Sequence, residues 1–167
     1  MDQRGGLAAG PGRGILVAMR TVEAEALVGA SRDEVWRLYD DIAGLPRWLP
    51  FVHEIVYVSG PSRVGTVYRE QGRFAGLPSA QQWEIVEYRR QTLQVHEARA
   101  GGVAVRLVLR FEARGTGTLV HHTAELRSGL WGPLGLLHEA LVALPVAWGV
   151  RGMAAGAKRA FEGDPPR

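Results

Sequence analysis

Moving a proton inside a protein takes an ionisable pair held away from bulk water, and this chain offers one candidate pair, Glu70 and His122. Strand alternation decides where they point. In the run Gly65–Phe74 one face carries Tyr68, Glu70, Gly72 and Phe74, and the other carries Val67, Arg69, Gln71 and Arg73. Burying two arginines costs more than burying one carboxyl, so Tyr68, Glu70 and Phe74 are placed inside. The same logic turns Val120, His122, Ala124 and Leu126 inward, along with Leu107, Leu109 and Phe111, while Arg106, Arg110 and Glu112 face solvent. Trp83 and Ile85 join the inner face. The product is an apolar interior with a small polar set (Tyr68, Glu70 and His122, near Trp83), the usual form of a small-molecule site. Desolvation would raise Glu70, and His122 would move either way with its partner. A Glu–His pair of this kind can pass a proton in a cyclisation, dehydration or isomerisation. In the plainer reading Glu70 sits at the rim, bonded to Tyr68 or water, and His122 fills space.

Other reactive residue types lack the spacing that chemistry requires. His121 should point outward, opposite His122, and His53 stands exposed at the start of a strand. His138 lies beside Glu139 without the H-E-x-x-H spacing that sets two imidazoles on one zinc, so no metal is expected. Ser31, Ser59, Ser62, Ser79 and Ser128 fall at caps and turns, none in a G-x-S-x-G elbow. The glycines also mark turns, and no phosphate-binding loop follows a strand.

These residues need a scaffold, and the hydrophobic pattern supplies one. Ile15–Val28 alternates as a half-buried strand, with Val22, Ala24, Ala26 and Val28 on one face. Ser31 and Glu34 form a capping box, and Val35, Leu38 and Ile42 share a helix face. Pro46 and Pro50 punctuate a second short helix, which leaves Trp48 and Leu49 at a tight turn. Strand-like runs follow at His53–Ser59, Gly65–Phe74, Ala80–Tyr88, Thr92–Ala98, Val103–Ala113 and Thr118–Arg127, separated by turn residues such as Gly76-Leu77-Pro78 and Gly115-Thr116-Gly117. Links this short favour antiparallel neighbours. A last helix begins near Pro133, carries the stripe Leu134, Leu137, Leu141, Leu144 and Trp148, and should kink at Pro145.

Composition narrows the function classes. A chain of 167 residues with 46% hydrophobic content suits one domain with a sizeable core. The absence of cysteine removes disulfides, thiolate metal sites and cysteine nucleophiles. Net charge is only +3 and the basic residues are scattered singly, which argues against nucleic acid as a partner. Residues 1–14, glycine-rich and without an apolar stretch of signal-peptide length, read as a disordered tail. Leu130–Val150 is apolar over about the length of a membrane span, but Pro133, His138, Glu139 and Pro145 would sit poorly in lipid. The segment therefore reads as a cavity-closing helix, with no integral membrane segment, in a soluble, cytoplasmic protein.

The order of these pieces resembles a known family. ASRDEVWRLYDDIAGLPRWLP (Ala30–Pro50), VGTVYRE (Val64–Glu70), WEIVEY (Trp83–Tyr88), LRFEARGTGTLV (Leu109–Val120) and the segment Gly132–Gly163 together are similar to the START-like (SRPBCC) superfamily. Within it they look like the bacterial branch of polyketide cyclase/dehydrase and lipid-transport proteins. The resemblance covers about Val17–Gly163 and implies an α+β helix-grip fold: a seven-stranded antiparallel curved sheet wrapped around a long C-terminal helix, with two short helices after the first strand. It places a single ligand-binding domain over residues 15–163 and implies a small hydrophobic ligand with no cofactor, leaving oligomeric state open. Trp48, Trp131 and Trp148 would lie where helices meet the mouth. The expected ligand contacts are Trp48, Tyr68, Phe74, Trp83, Leu109, Phe111, Leu141 and Trp148, with Glu70 and His122 as the acid–base pair. Two departures stand out: Leu45 precedes Pro46 where cyclases of the superfamily carry an aromatic, and Trp83–Tyr88 lacks their cavity arginine. Three functions fit: a cavity protein with cyclase or dehydratase chemistry, a non-catalytic carrier, and an interaction protein whose last helix docks on a partner. The interaction protein would need a filled or collapsed cavity and an exposed Leu137/Leu141/Trp148 stripe.

Overall fold

The computed structural model describes residues 19–74, 76–100, 102–128 and 132–162. The expected tail, residues 15–18, Trp131 and the closing Gly163-Asp-Pro-Pro lie outside the described residues. The chain folds as strand β1 (Met19–Val28), helix α1 (Arg32–Asp40), a 3-10 helix (Ile42–Arg47), strands β2 (Val52–Val58), β3 (Val67–Phe74), β4 (Leu77–Arg89), β5 (Leu93–Ala100), β6 (Val103–Arg114) and β7 (Gly117–Ser128), and helix α2 (Gly132–Glu162). The strands form one antiparallel sheet in the order β1-β7-β6-β5-β4-β3-β2. Six strands are thus a meander, and β1 closes against β7. This is the expected α+β helix-grip architecture.

Local signals explain most of it. Ser31 caps α1, its hydroxyl accepting from the Glu34 amide while the Glu34 side chain reaches back to the Ser31 amide. The inner faces are those that alternation gives: Ala26, Val28, Leu107, Leu109, Phe111, Val120, Ala124 and Leu126 are all buried. One boundary differs. Leu77 and Pro78 were expected in a turn but belong to β4, paired with Phe74 and Arg73, so the hairpin is tighter than the Gly-Leu-Pro run suggests. Gly76, with φ of +82°, supplies the left-handed residue that so short a link needs.

A bulge in β4 matters for the site. Between Ile85 and Glu87 the register against β5 shifts, so that Ile85 faces His96, Glu87 faces Val95 and Tyr88 faces Gln94. The extra residue reverses the alternation and returns Tyr88 to the inner face. There it meets Trp36 edge-on, with ring centres 5.3 Å apart.

Helix α2 runs unbroken through Pro145. It lies close to the sheet and short helices because its inner face is small: a Cβ on Gly156 would come within 2.4 Å of the Trp48 carbonyl oxygen. The outer face is the surprise. Leu134, Leu137, Leu141 and Leu144 are 58–75% exposed and Trp148 is 45% exposed. By length and composition alone α2 could cross a membrane, and only 24% of its most apolar stretch is buried. What packs inward is the neighbouring face, including Ala143, Val150, Ala154 and Ala157.

Candidate functional site

Between the concave face of the sheet, the short helices and α2 lies a cavity of about 230 Å³. Its wall is mostly aliphatic and aromatic: Leu45, Trp48 and Leu49 come from the short helices, Leu107 and Leu109 from β6, and Val146, Val150 and Met153 from α2. Polar groups gather on β3, β4 and β5. Among the described lining residues Glu70 is the only charged side chain. Its carboxylate accepts the Trp83 indole N–H at 3.1 Å. Burial pushes Glu70 up to about 7, and the indole bond opposes the rise only in part. Tyr68 stands two residues away on the same strand face and is itself pushed well up by burial, with the Glu70 charge adding to the effect.

Tyr68 and Glu70 do not pair with His122. On one side Tyr68 Oη lies 3.1 Å from His96 Nδ1. His96 Nε2 is 3.2 Å from Gln94 Oε1, and Gln94 Nε2 donates to Asp40 Oδ1 at 3.2 Å. Tyr88 donates to the same oxygen at 3.0 Å. A polar chain thus runs from the cavity wall to the end of α1. Burial pushes His96 down to about 4, so it is neutral at physiological pH. Burial raises Asp40, with the Tyr88 and Ser62 hydrogen bonds opposing.

His122 makes a separate contact: its Nε2 is 2.7 Å from Tyr39 Oη. It is fully buried, is pushed down to about 4 by burial, and lies behind the wall, where Tyr39 is the lining residue. Strands β4, β5 and β6 separate β3 from β7 in the sheet. The candidate acid–base pair, Glu70 and His122, does not share a hydrogen bond: Glu70 is bonded to Trp83 and His122 to Tyr39. A pleat predicts which face a residue takes but not which residue it meets several strands away.

The other expected contacts divide. Trp48, Tyr68, Phe74, Trp83 and Leu109 line the cavity. Phe111 is buried beside it and packs against Trp36 and Tyr39, each with ring centres 5.1 Å away. Trp148 meets Phe51 at 5.8 Å and Phe74 at 5.9 Å, which makes an aromatic cluster at the cavity's edge. Leu141 is the correction: at 64% exposure it lies on the solvent face, while Val142, Val146 and Gly149 line the cavity. Because α2 is apolar nearly all round, periodicity marks a stripe without saying which stripe packs inward; the small residues decide that. The indole N–H of Trp48 is buried without a hydrogen-bond partner.

Sequence reasoning missed Tyr39, Gln94 and His96. The signal for the last two lay in register: Gln94 pairs with Leu109 and His96 with Leu107, so they share the inner face of those leucines. His121 points outward as expected, with Nδ1 2.8 Å from Glu25, and His53 is exposed. Among the described residues no group of three His, Cys, Asp or Glu side chains converges as metal ligands. Among the described residues no arginine lines the cavity.

Known structures share the architecture. A Thermus thermophilus protein, TTHA0849, superposes with a TM-score of 0.69 at 21% identity, over 86% of this chain and 97% of that one. Ara h 8.0201 superposes with a TM-score of 0.69 at 16% identity, over 88% and 100%. The ZhuI aromatase/cyclase of Streptomyces sp. R1128 gives 0.65 at 18% identity, over 85% and 95%. At these identities the likeness speaks for the fold alone. No curated protein matches the sequence. Residues 19–162 match the model of a family described as polyketide cyclase / dehydrase and lipid transport.

Proposed function

Since this chain belongs to the polyketide cyclase / dehydrase and lipid transport family, we propose that it binds a small hydrophobic metabolite, polyketide- or lipid-like, in its internal cavity. The observation that carries this reading is an open cavity of about 230 Å³ whose mostly apolar wall has, among the described residues, one carboxyl, Glu70, pushed up to about 7 by burial. Burying the ligand's apolar surface supplies the affinity, and the polar groups on β3–β5 orient it. The cytoplasm, where a cysteine-free protein needs no oxidising environment, is the compartment this reading assumes.

A second reading, cyclisation or dehydration of the ligand, draws support from Glu70. A carboxyl titrating near neutrality can both give and take a proton at working pH. His122 is bonded to Tyr39 behind the wall, so its part would be to hold Tyr39 in place. The interaction-protein reading requires both a filled or collapsed cavity and an exposed apolar stripe. The stripe is present, but the cavity is open, so ligand binding is the better account.

The test is to denature natively purified protein and identify the released small molecules by mass spectrometry. A stoichiometric apolar compound is the expected result. No released compound, and no change in tryptophan fluorescence across a panel of lipids and aromatic polyketides, would overturn the reading. Given a substrate, Glu70→Gln should abolish turnover while leaving binding within a few fold; unchanged turnover would reduce the protein to a carrier.

A further inference from the structure

The chain of side chains running from α1 into the cavity has a fixed direction. It begins at the Asp40 carboxylate, at the end of α1. Tyr88 and the Gln94 amide NH₂ both donate to its Oδ1, at 3.0 and 3.2 Å. That contact fixes the Gln94 amide, because the opposite orientation would set two oxygens against each other. Gln94 Oε1 must therefore face His96 Nε2, 3.2 Å away. An acceptor there requires a proton on Nε2. His96 is 4% exposed and its ring nitrogens face a hydroxyl and an amide rather than a carboxylate, so it carries one ring proton rather than two. Its Nδ1 is consequently a bare lone pair, and the Tyr68 hydroxyl 3.1 Å away must donate to it.

Tyr68 has a single proton, and His96 takes it. What Tyr68 Oη has left to offer is lone pairs. Beside it Glu70 accepts the Trp83 N–H through Oε1 and, once ionised above about pH 7, presents only oxygen. The polar end of the cavity is thus set as an acceptor, and the setting is made outside the cavity, at Asp40.

We infer that this cavity selects apolar ligands that bring a hydrogen-bond donor, such as a phenolic or enolic hydroxyl, to Tyr68 Oη, and discriminates against those whose only polar group is a carbonyl, with the Asp40–Gln94–His96 chain as the specificity-determining element. The inference rests on the cavity being a ligand site. A carbonyl placed there would set lone pair against lone pair, and leaving buried polar groups unpaired on both partners is what makes such discrimination strong.

The experiment, run at pH 8.5 where Glu70 is ionised, compares three probes of similar size by equilibrium binding to the full chain: naphthalene, which has no polar group, 2-naphthol, which donates, and 2-naphthaldehyde, which only accepts. The naphthol should bind about tenfold more tightly than the aldehyde, and the aldehyde no more tightly than naphthalene. In Tyr68→Phe the naphthol should lose most of its advantage over naphthalene, while naphthalene binding holds. Nitrogen-15 NMR of the imidazoles should find His96 protonated on Nε2 and bare on Nδ1. Gln94→Met, which removes the acceptor that fixes this tautomer, should narrow the gap between naphthol and aldehyde. If naphthalene binds but the aldehyde equals or beats the naphthol, or if His96 carries its proton on Nδ1, this inference falls and the ligand-binding reading stands. If none of the three binds, the ligand-binding reading falls and takes the inference with it.

Discussion

Glu70 ties the cavity to the stability of the fold. In the unfolded chain its carboxyl titrates near the ordinary 4.5, and in the cavity near 7. Across that interval the folded state binds more protons than the unfolded, so stability falls as pH rises. His96 and His122 act in the opposite sense. Held near 4 against an ordinary 6.5, they leave the unfolded chain binding more protons, so their contribution is complete above 6.5 and is lost as pH falls toward 4. Wild-type protein mixes the two trends, whereas comparison with Glu70→Gln isolates the first because both histidines remain. The difference in melting temperature, wild type minus Glu70→Gln, should be most favourable to wild type near pH 5 and should decline steadily to about pH 7.5. A flat difference would mean that the carboxyl is solvated and titrates as in water.

At the level of elements, α2 and β4 position the site, and each depends on a local departure from regularity. The β4 bulge brings Tyr88 to the inner face, where it bonds Asp40 and so helps fix the Gln94 amide. Helix α2 reaches the 3-10 turn only because residue 156 has no side chain: a Cβ there would meet the Trp48 backbone oxygen at 2.4 Å, and backbone cannot swing aside. Intrinsic propensity favours alanine over glycine in a helix by about 1 kcal/mol. Overpacking of a tight contact costs about 1–3 kcal/mol. Gly156→Ala should therefore lower the urea midpoint, with a net loss of about 1 kcal/mol, despite its better helix propensity. A raised midpoint would show that α2 can back away from the turn at little cost.

Over the whole molecule, α2 has two apolar faces, one spent on the cavity and the other left in solvent. The outer face sets Leu134, Leu137, Leu141, Leu144 and Trp148 in one row. Because Leu137 and Leu141 touch neither the core nor the cavity wall, Leu137→Lys with Leu141→Lys should leave the melting temperature within about 0.5 kcal/mol equivalent and probe affinity unchanged. Their loss would mean that this stripe, and not its neighbour, packs inward. The comparison also separates ligand binding from any role of the outer face, since only Trp148 belongs to both the row and the aromatic cluster with Phe51 and Phe74.

Element order, strand faces and the inward placing of Tyr68, Glu70, Phe74 and Trp83 were legible in the sequence, because alternation and turn chemistry act over a few residues and each strand shows its pattern alone. The capping box at Ser31 and Glu34 was legible for the same reason. Partnerships across the sheet were not. That Glu70 meets Trp83 rather than His122, and that His96 is polarised from Asp40, depends on register, on the bulge that turns Tyr88 inward, and on α1 reaching over β5. The orientation of α2 was hidden as well, since a helix apolar on most sides carries no periodic signal of which side is buried. Small residues facing Trp48, Phe51 and Phe74 decided it, and their fit exists only once the partners are in place.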